Sequence, residues 1–132
     1  LNRFKKIRKK NRIKIISKLK NSKRWAGQFT FIESIKNLDP SWFGLPILIN
    51  RPFLKKKEKF LKYLNDNFIE TRPIISGNFL KQPSVKKYGL IKKIKYKNAD
   101  YINNHGFFIG LPFNKIKLNI LKKIEQSFQK SV

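Results

Sequence analysis

Two apolar runs bracketed by glycine and proline do most to limit the fold. They are Trp42-Phe43-Gly44-Leu45-Pro46-Ile47-Leu48-Ile49-Asn50 and His105-Gly106-Phe107-Phe108-Ile109-Gly110-Leu111-Pro112. Each is too short for a typical helix and too apolar to face water on both sides, so each reads as a mostly buried strand. Pro46 assigns the first to an edge or a bulge, because proline has no N–H to give a ladder. Arg51-Pro52 then opens a helix, proline being suited to the first turn. Phe53, Leu54, Phe60, Leu61, Leu64 and Phe68 fall on one stripe of it, while Lys55, Lys56, Lys59 and Lys62 face water. Burial of those six side chains contributes about 1.5–3 kcal/mol each before entropy is counted, so this helix is core material.

The remaining elements follow. Phe68 to Ile75 predicts another strand, and Asn114 to Lys130 a helix with Ile116, Ile120, Leu121, Ile124 and Phe128 on one face. Between them, Val85 to Asn98 reads as a lysine-rich loop or irregular hairpin. A short helical turn is expected near Asn98-Ala99-Asp100-Tyr101, capped by Asn98 or Asp100. This order predicts a small α+β fold: a short sheet covered on one side by helices, spanning 41–132. Residues 1–20 carry a basic, ragged helical pattern, and 21–40 an irregular connection with an apolar piece around Phe29–Ile35. Residues 1–40 are therefore expected to lie outside the compact unit.

Composition excludes several classes. With 132 residues the chain makes one domain, and 12 Phe, 4 Tyr and 2 Trp in a 40% hydrophobic chain argue against wholesale disorder. No run of about 18 apolar residues is present, so no membrane span is expected. Leu1–Lys10 has no secretory signal pattern, and methionine is absent throughout, which points to a fragment or a trimmed chain. Zero Cys removes disulfides, thiolate ligands and cysteine nucleophiles, with a cytoplasmic setting as the default. One histidine without cysteine argues against a zinc site, and the scattered glycines form no phosphate loop. The acids Glu33, Asp39, Glu58, Asp66, Glu70, Asp100 and Glu125 show no paired-carboxylate spacing.

The formal net charge of +25, from 32 basic and 7 acidic residues, invites a polyanionic partner. Lysine supplies most of it; the arginines are Arg3, Arg8, Arg12, Arg24, Arg51 and Arg72. Lys, Ile, Asn and Phe all have A/T-rich codons, so genomic base composition also accounts for the excess. Base-reading proteins favour arginine, whose fork matches guanine edges and phosphates. A small basic nucleic-acid-binding module is the alternative function from another class.

The stretch Glu70-Thr71-Arg72-Pro73-Ile74-Ile75-Ser76-Gly77-Asn78-Phe79-Leu80-Lys81-Gln82-Pro83 is the candidate site. Pro73 biases Arg72 toward extended backbone, which holds a five-donor guanidinium on a stiff support. Ser76-Gly77-Asn78 is turn chemistry. Arg72 suits a carboxylate, a phosphate or a sugar hydroxyl, and Asn78 can present an amide. His105, beside the last strand, is the third candidate.

Five ordered pieces carry a resemblance: Asp39-Pro40-Ser41-Trp42-Phe43-Gly44-Leu45-Pro46, Ile69-Glu70-Thr71-Arg72-Pro73, Gly77-Asn78-Phe79-Leu80-Lys81-Gln82-Pro83, Asn98-Ala99-Asp100-Tyr101 and Gly106-Phe107-Phe108-Ile109-Gly110. Together, over about residues 39–128, they resemble the C-terminal part of the DegT/StrS family of sugar aminotransferases and dehydratases. The nearest branch is that of CDP-4-keto-6-deoxyglucose-3-dehydrase and similar lipopolysaccharide-sugar enzymes. The resemblance implies the C-terminal small domain of the fold-type I aminotransferases, with residues 1–20 as the end of a linking helix. It implies pyridoxal phosphate or pyridoxamine phosphate as cofactor of the parent enzyme, a nucleotide-linked sugar as substrate, and a homodimer. In this family the lysine that holds the cofactor (a histidine in the dehydratase branch) and most phosphate contacts lie in the large N-terminal domain. The chain alone is therefore expected to be inactive, with Arg72, Asn78 and His105 as substrate-binding candidates rather than catalytic ones.

Overall fold

The computed structural model describes residues 1–89 and 94–130. Four strands form one antiparallel sheet: β1 (Phe29–Phe31), β2 (Gly44–Ile49), β3 (Thr71–Arg72) and β4 (Gly106–Gly110), in the spatial order β1-β2-β4-β3. Among the described residues five helices accompany it: α1 (Asn2–Lys20), α2 (Lys57–Asp66), α3 (Pro83–Lys87), α4 (Lys97–His105) and α5 (Leu118–Gln129). A 3-10 turn over Arg51–Lys56 leads into α2.

Strand alternation sorts the side chains onto two faces. Phe29 and Phe31 of β1, Leu45, Ile47 and Ile49 of β2, and Phe107 and Ile109 of β4 all point into the core. Helices α1, α2 and α5 close over that face with Ile15, Ile16, Leu19, Phe60, Leu64, Ile124 and Phe128. At its centre Phe60 packs against Phe29, Phe107 and Phe128, with ring centroids 5.4, 5.9 and 5.4 Å away. Edge-on and offset contacts of this kind add to the area term. The α+β prediction, with a sheet covered by helices on one side, holds.

Several boundaries differ from expectation. Residues 1–40 do not lie outside the compact unit, because α1 lends three core residues and β1 is a strand of the sheet. The strand expected from Phe68 to Ile75 shrinks to Thr71–Arg72. Before it, Phe68 has φ +61° and is 91% exposed, so it is not on the buried stripe of α2. Pro73 lacks the next N–H and ends the pairing. The expected loop from Val85 contains α3 instead, with Val85 fully buried, while residues 90–93 of that segment lie outside the described residues. The turn expected near Asn98 is a nine-residue helix from Lys97.

Pro46 sits in a central strand, not at an edge. In a strand a residue's N–H and C=O point to the same side. The Pro46 carbonyl accepts from Ile32 N at 3.5 Å, so its missing N–H faces β1 one step past that strand's end at Phe31. The absent donor falls where no ladder runs.

Candidate functional site

The face of the sheet away from the helices carries Thr30, Leu48, Pro46, Gly44, Phe108 and Arg72, placed there by the register Thr30↔Leu48, Pro46↔Phe108 and Arg72↔Phe108. Over this face runs an apolar groove of about 430 Å³, lined mainly by Trp42, Phe43, Pro46, Ile74, Ile75 and Phe108. Phe43 meets Phe108 edge-on at 5.5 Å, and Phe43 and Ile75 are largely exposed. Gly44 makes the floor possible, since a Cβ there would lie 2.7 Å from Phe108 Cδ2.

The segment before β2 is tied down by cations of α1. Arg12 lies over the Trp42 ring at 4.4 Å and donates from Nη2 to Ile32 O at 2.7 Å and Glu33 Oε2 at 2.8 Å. Lys5 and Lys9 grip Asp39 at 3.0 and 2.9 Å, and hydrogen bonds from Lys9 and then Lys5 hold its carboxyl below the usual range. Trp42 itself takes φ +32°. Three side chains of one helix thus set the groove wall.

Arg72 stands at the sheet edge, its side chain 65% exposed, with Nε and Nη2 both donating to Glu70 Oε1 at 2.9 and 2.7 Å. An exposed pair of this sort adds little stability, but it fixes the plane of the fork and leaves Nη1 to donate elsewhere.

Asn78 is buried and internally engaged. Its Oδ1 accepts from Leu80 N at 3.0 Å, its Nδ2 donates to Asp100 Oδ1 at 2.9 Å, and its backbone N donates to Asn103 Oδ1 at 3.2 Å. Lys81 pairs with the same Asp100 carboxylate at 2.7 Å; its hydrogen bond, and next that of Asn78, lowers the Asp100 pKa. Gly77, at φ +53°, packs so closely on Asn103 that a Cβ would overlap the amide. The Gly77-Asn78 turn is thereby bolted to α4.

His105 is buried at the end of α4. Its ring stacks on Tyr101 at 4.0 Å, and Nδ1 meets Ile49 O at 2.6 Å, which places the proton on Nδ1 because a carbonyl only accepts. Of the three candidates, only Arg72 reaches the bare face with donors to spare. The sequence reading missed Arg8, which lines the same groove from α1. Its one signal was an arginine in a run where lysine predominates.

No family model matches the chain. Over 111 residues, 83% of this chain and 27% of the relative, it is 33% identical to the GDP-4-keto-6-deoxy-D-mannose 3-dehydratase of Escherichia coli. The solved structure of the E. coli GDP-4-keto-6-deoxy-D-mannose 3-dehydratase with bound hydrated PLP superposes on 96% of this chain and 31% of its own, with a TM-score of 0.77 and 26% identity. Over most of its length the chain is similar to one part of the DegT/StrS-like sugar enzymes. Another relative is the lipopolysaccharide biosynthesis protein RfbH of Salmonella typhimurium, 33% identical over 81 residues, 60% of this chain and 18% of that protein. The chain spans less than a third of the length of these relatives.

The described residues do not fit pyridoxal phosphate by themselves. Glu33, Asp39, Glu70, Asp100 and Glu125 are all held in ion pairs, leaving no free acid at the groove for a pyridine nitrogen. Lys57, whose pKa burial lowers, donates to Asn104 O at 2.6 Å and Gly106 O at 3.1 Å rather than into a cavity. Among the described residues no His/Cys/Asp/Glu group suited to a metal occurs, and no helix is long and apolar enough to cross a membrane.

Proposed function

We propose that the chain is the C-terminal small domain of a PLP- or PMP-dependent enzyme that acts on a nucleotide-linked 4-keto-6-deoxy sugar in surface-polysaccharide biosynthesis. The reaction is a 3-dehydration or a transamination, and the intact enzyme is a cytoplasmic homodimer. The superposition of nearly the whole chain on one part of a PLP-bound 3-dehydratase carries this reading. The cofactor, when bound, supplies the electron sink for chemistry beside the sugar's keto group, and polypeptide beyond this chain holds it.

The contribution of these residues is a wall and a donor. The helix-backed sheet gives a rigid support, and sites built on such elements are more precise than sites on loops. Arg72, stiffened by Pro73 and oriented by Glu70, donates through Nη1 to a phosphate, carboxylate or hydroxyl of the substrate. Asn78 and His105 serve the site from behind by fixing the Gly77-Asn78 turn and the end of α4 against β2.

The test is a chimera in which this chain replaces the matched region of the E. coli dehydratase. With PLP, glutamate as amino donor and GDP-4-keto-6-deoxy-D-mannose it should turn over substrate, whereas the 132-residue chain alone should not. A folded but inactive chimera would count against the reading. The nucleic-acid alternative draws on a second groove, where Arg3, Lys6, Lys10 and Lys14 of α1 face Lys115. Micromolar, sequence-independent DNA binding that falls steeply between low and physiological salt would favour it.

A further inference from the structure

The groove on the bare sheet face has one charged lining residue, and it lacks a counter-charge. Arg8 is half-buried, its Nε is shut off from solvent without an acceptor, and it enters no ion pair among the described residues. A buried guanidinium donor left unmatched is costly, so its partner is expected to come from outside. The choice of arginine is informative in a chain whose basic residues are mostly lysine. A lysine would extend its ammonium to water, whereas a planar fork set among apolar side chains matches a carboxylate.

Among the described residues no acid is left to meet Arg8. Five of the chain's carboxylates are already paired, and the other two, Glu58 and Asp66, belong to α2, which packs on the opposite face of the sheet. A second copy would bring a further +25 charge to the same place. A nucleic-acid backbone suits the lysine-lined groove better than one lined by Trp42, Phe43, Ile74, Ile75 and Phe108. What fits is a polypeptide surface with one acid among apolar residues. A large polypeptide is at hand if the parent resembles its relatives, of which this chain spans 27% in the E. coli enzyme.

We propose that the bare-face groove docks an apolar segment of the rest of the enzyme, and that an Asp or Glu of that segment pairs with Arg8. The proposal rests on the reading that the chain works joined to further polypeptide. It assigns the contact that joins them.

Because Arg8 enters no ion pair among the described residues, its replacement should matter only in the larger protein. The experiment compares Arg8→Glu in the isolated 132-residue chain and in the chimera with the E. coli dehydratase, by scanning calorimetry. In the isolated chain the melting temperature should move by less than about 2 °C; in the chimera, the transition of this part should fall by about 5 °C or more. Arg8→Lys should give a smaller fall, and Lys6→Glu, on the other groove, almost none in either protein. Equal shifts in both proteins, or none in the chimera, would overturn the docking contact. So would a chimera whose transition is no higher than that of the isolated chain. Turnover is not the readout, so an inactive chimera that shows the differential shift would fault the proposed chemistry and leave the docking contact standing.

Discussion

The guanidinium of Arg12 lies over the indole of Trp42, 4.4 Å from the ring centroid, while its Nη2 donates to the Ile32 carbonyl and the Glu33 carboxylate. One side chain of α1 thereby holds both ends of the crossing from β1 to β2. Arg12→Ala should cost about 2–3 kcal/mol, since it removes a partly desolvated cation–π contact and two charge-assisted hydrogen bonds. Urea unfolding of the two proteins measures the difference; a cost under 0.5 kcal/mol would show that the crossing is held by other contacts.

Gly77 and Gly89 both adopt positive φ, at +53° and +65°, but only Gly77 faces a neighbour. Gly89→Ala should cost about 1 kcal/mol from backbone strain alone. Gly77→Ala adds a clash with Asn103 and should cost about 2–3 kcal/mol. The ordering of the two in chemical denaturation checks the turn geometry.

Asp39 and Asp100 both have carboxyl pKa values lowered below 3.8 by lysine hydrogen bonds, Lys9 and Lys5 for the first and Lys81 then Asn78 for the second. A folded-state pKa below the unfolded value means the unfolded chain binds more protons as pH falls. The stabilisation is present above the unfolded pKa and is lost as pH drops through the folded ones. Melting temperature should therefore decline below about pH 4, and Asp39→Asn with Asp100→Asn should flatten that decline.

Arg72→Ala in the chimera should lower kcat/KM by an amount equivalent to about 1–3 kcal/mol, the range for a lost charge-assisted hydrogen bond. Glu70→Gln, which loosens the fork without removing it, should cost less. Unchanged kinetics for Arg72→Ala would return the residue to the surface.

The strands at 44–49 and 106–110 and the helices at 57–66 and 118–129 were legible because glycine, proline and apolar spacing agree there. The role of residues 1–40 was not. The buried face of α1 includes Asn11 and Arg12 beside Ile15, Ile16 and Leu19, so its polar members break the stripe. Asn11 is buried because it staples the segment after β4, donating to Pro112 O at 3.0 Å and Asn114 O at 2.7 Å. β1 is only Phe-Thr-Phe, too short to stand out before its pairing with β2 is known. At the candidate site, the strand bias of Arg72 was readable from Pro73. The engagement of Asn78 and His105 depends on α4 and β2, which are distant in sequence and invisible to local pattern.

Pro46 withholds one hydrogen at the point where β1 stops, and that absence steers everything that follows Phe31. A valine there would offer the Ile32 carbonyl a second donor, in competition with Arg12. Instead the backbone must veer off the sheet, and the detour carries Trp42 and Phe43 to the rim they occupy. A single imino acid acts as a zipper stop, and the shape of the wall beyond it is its legacy.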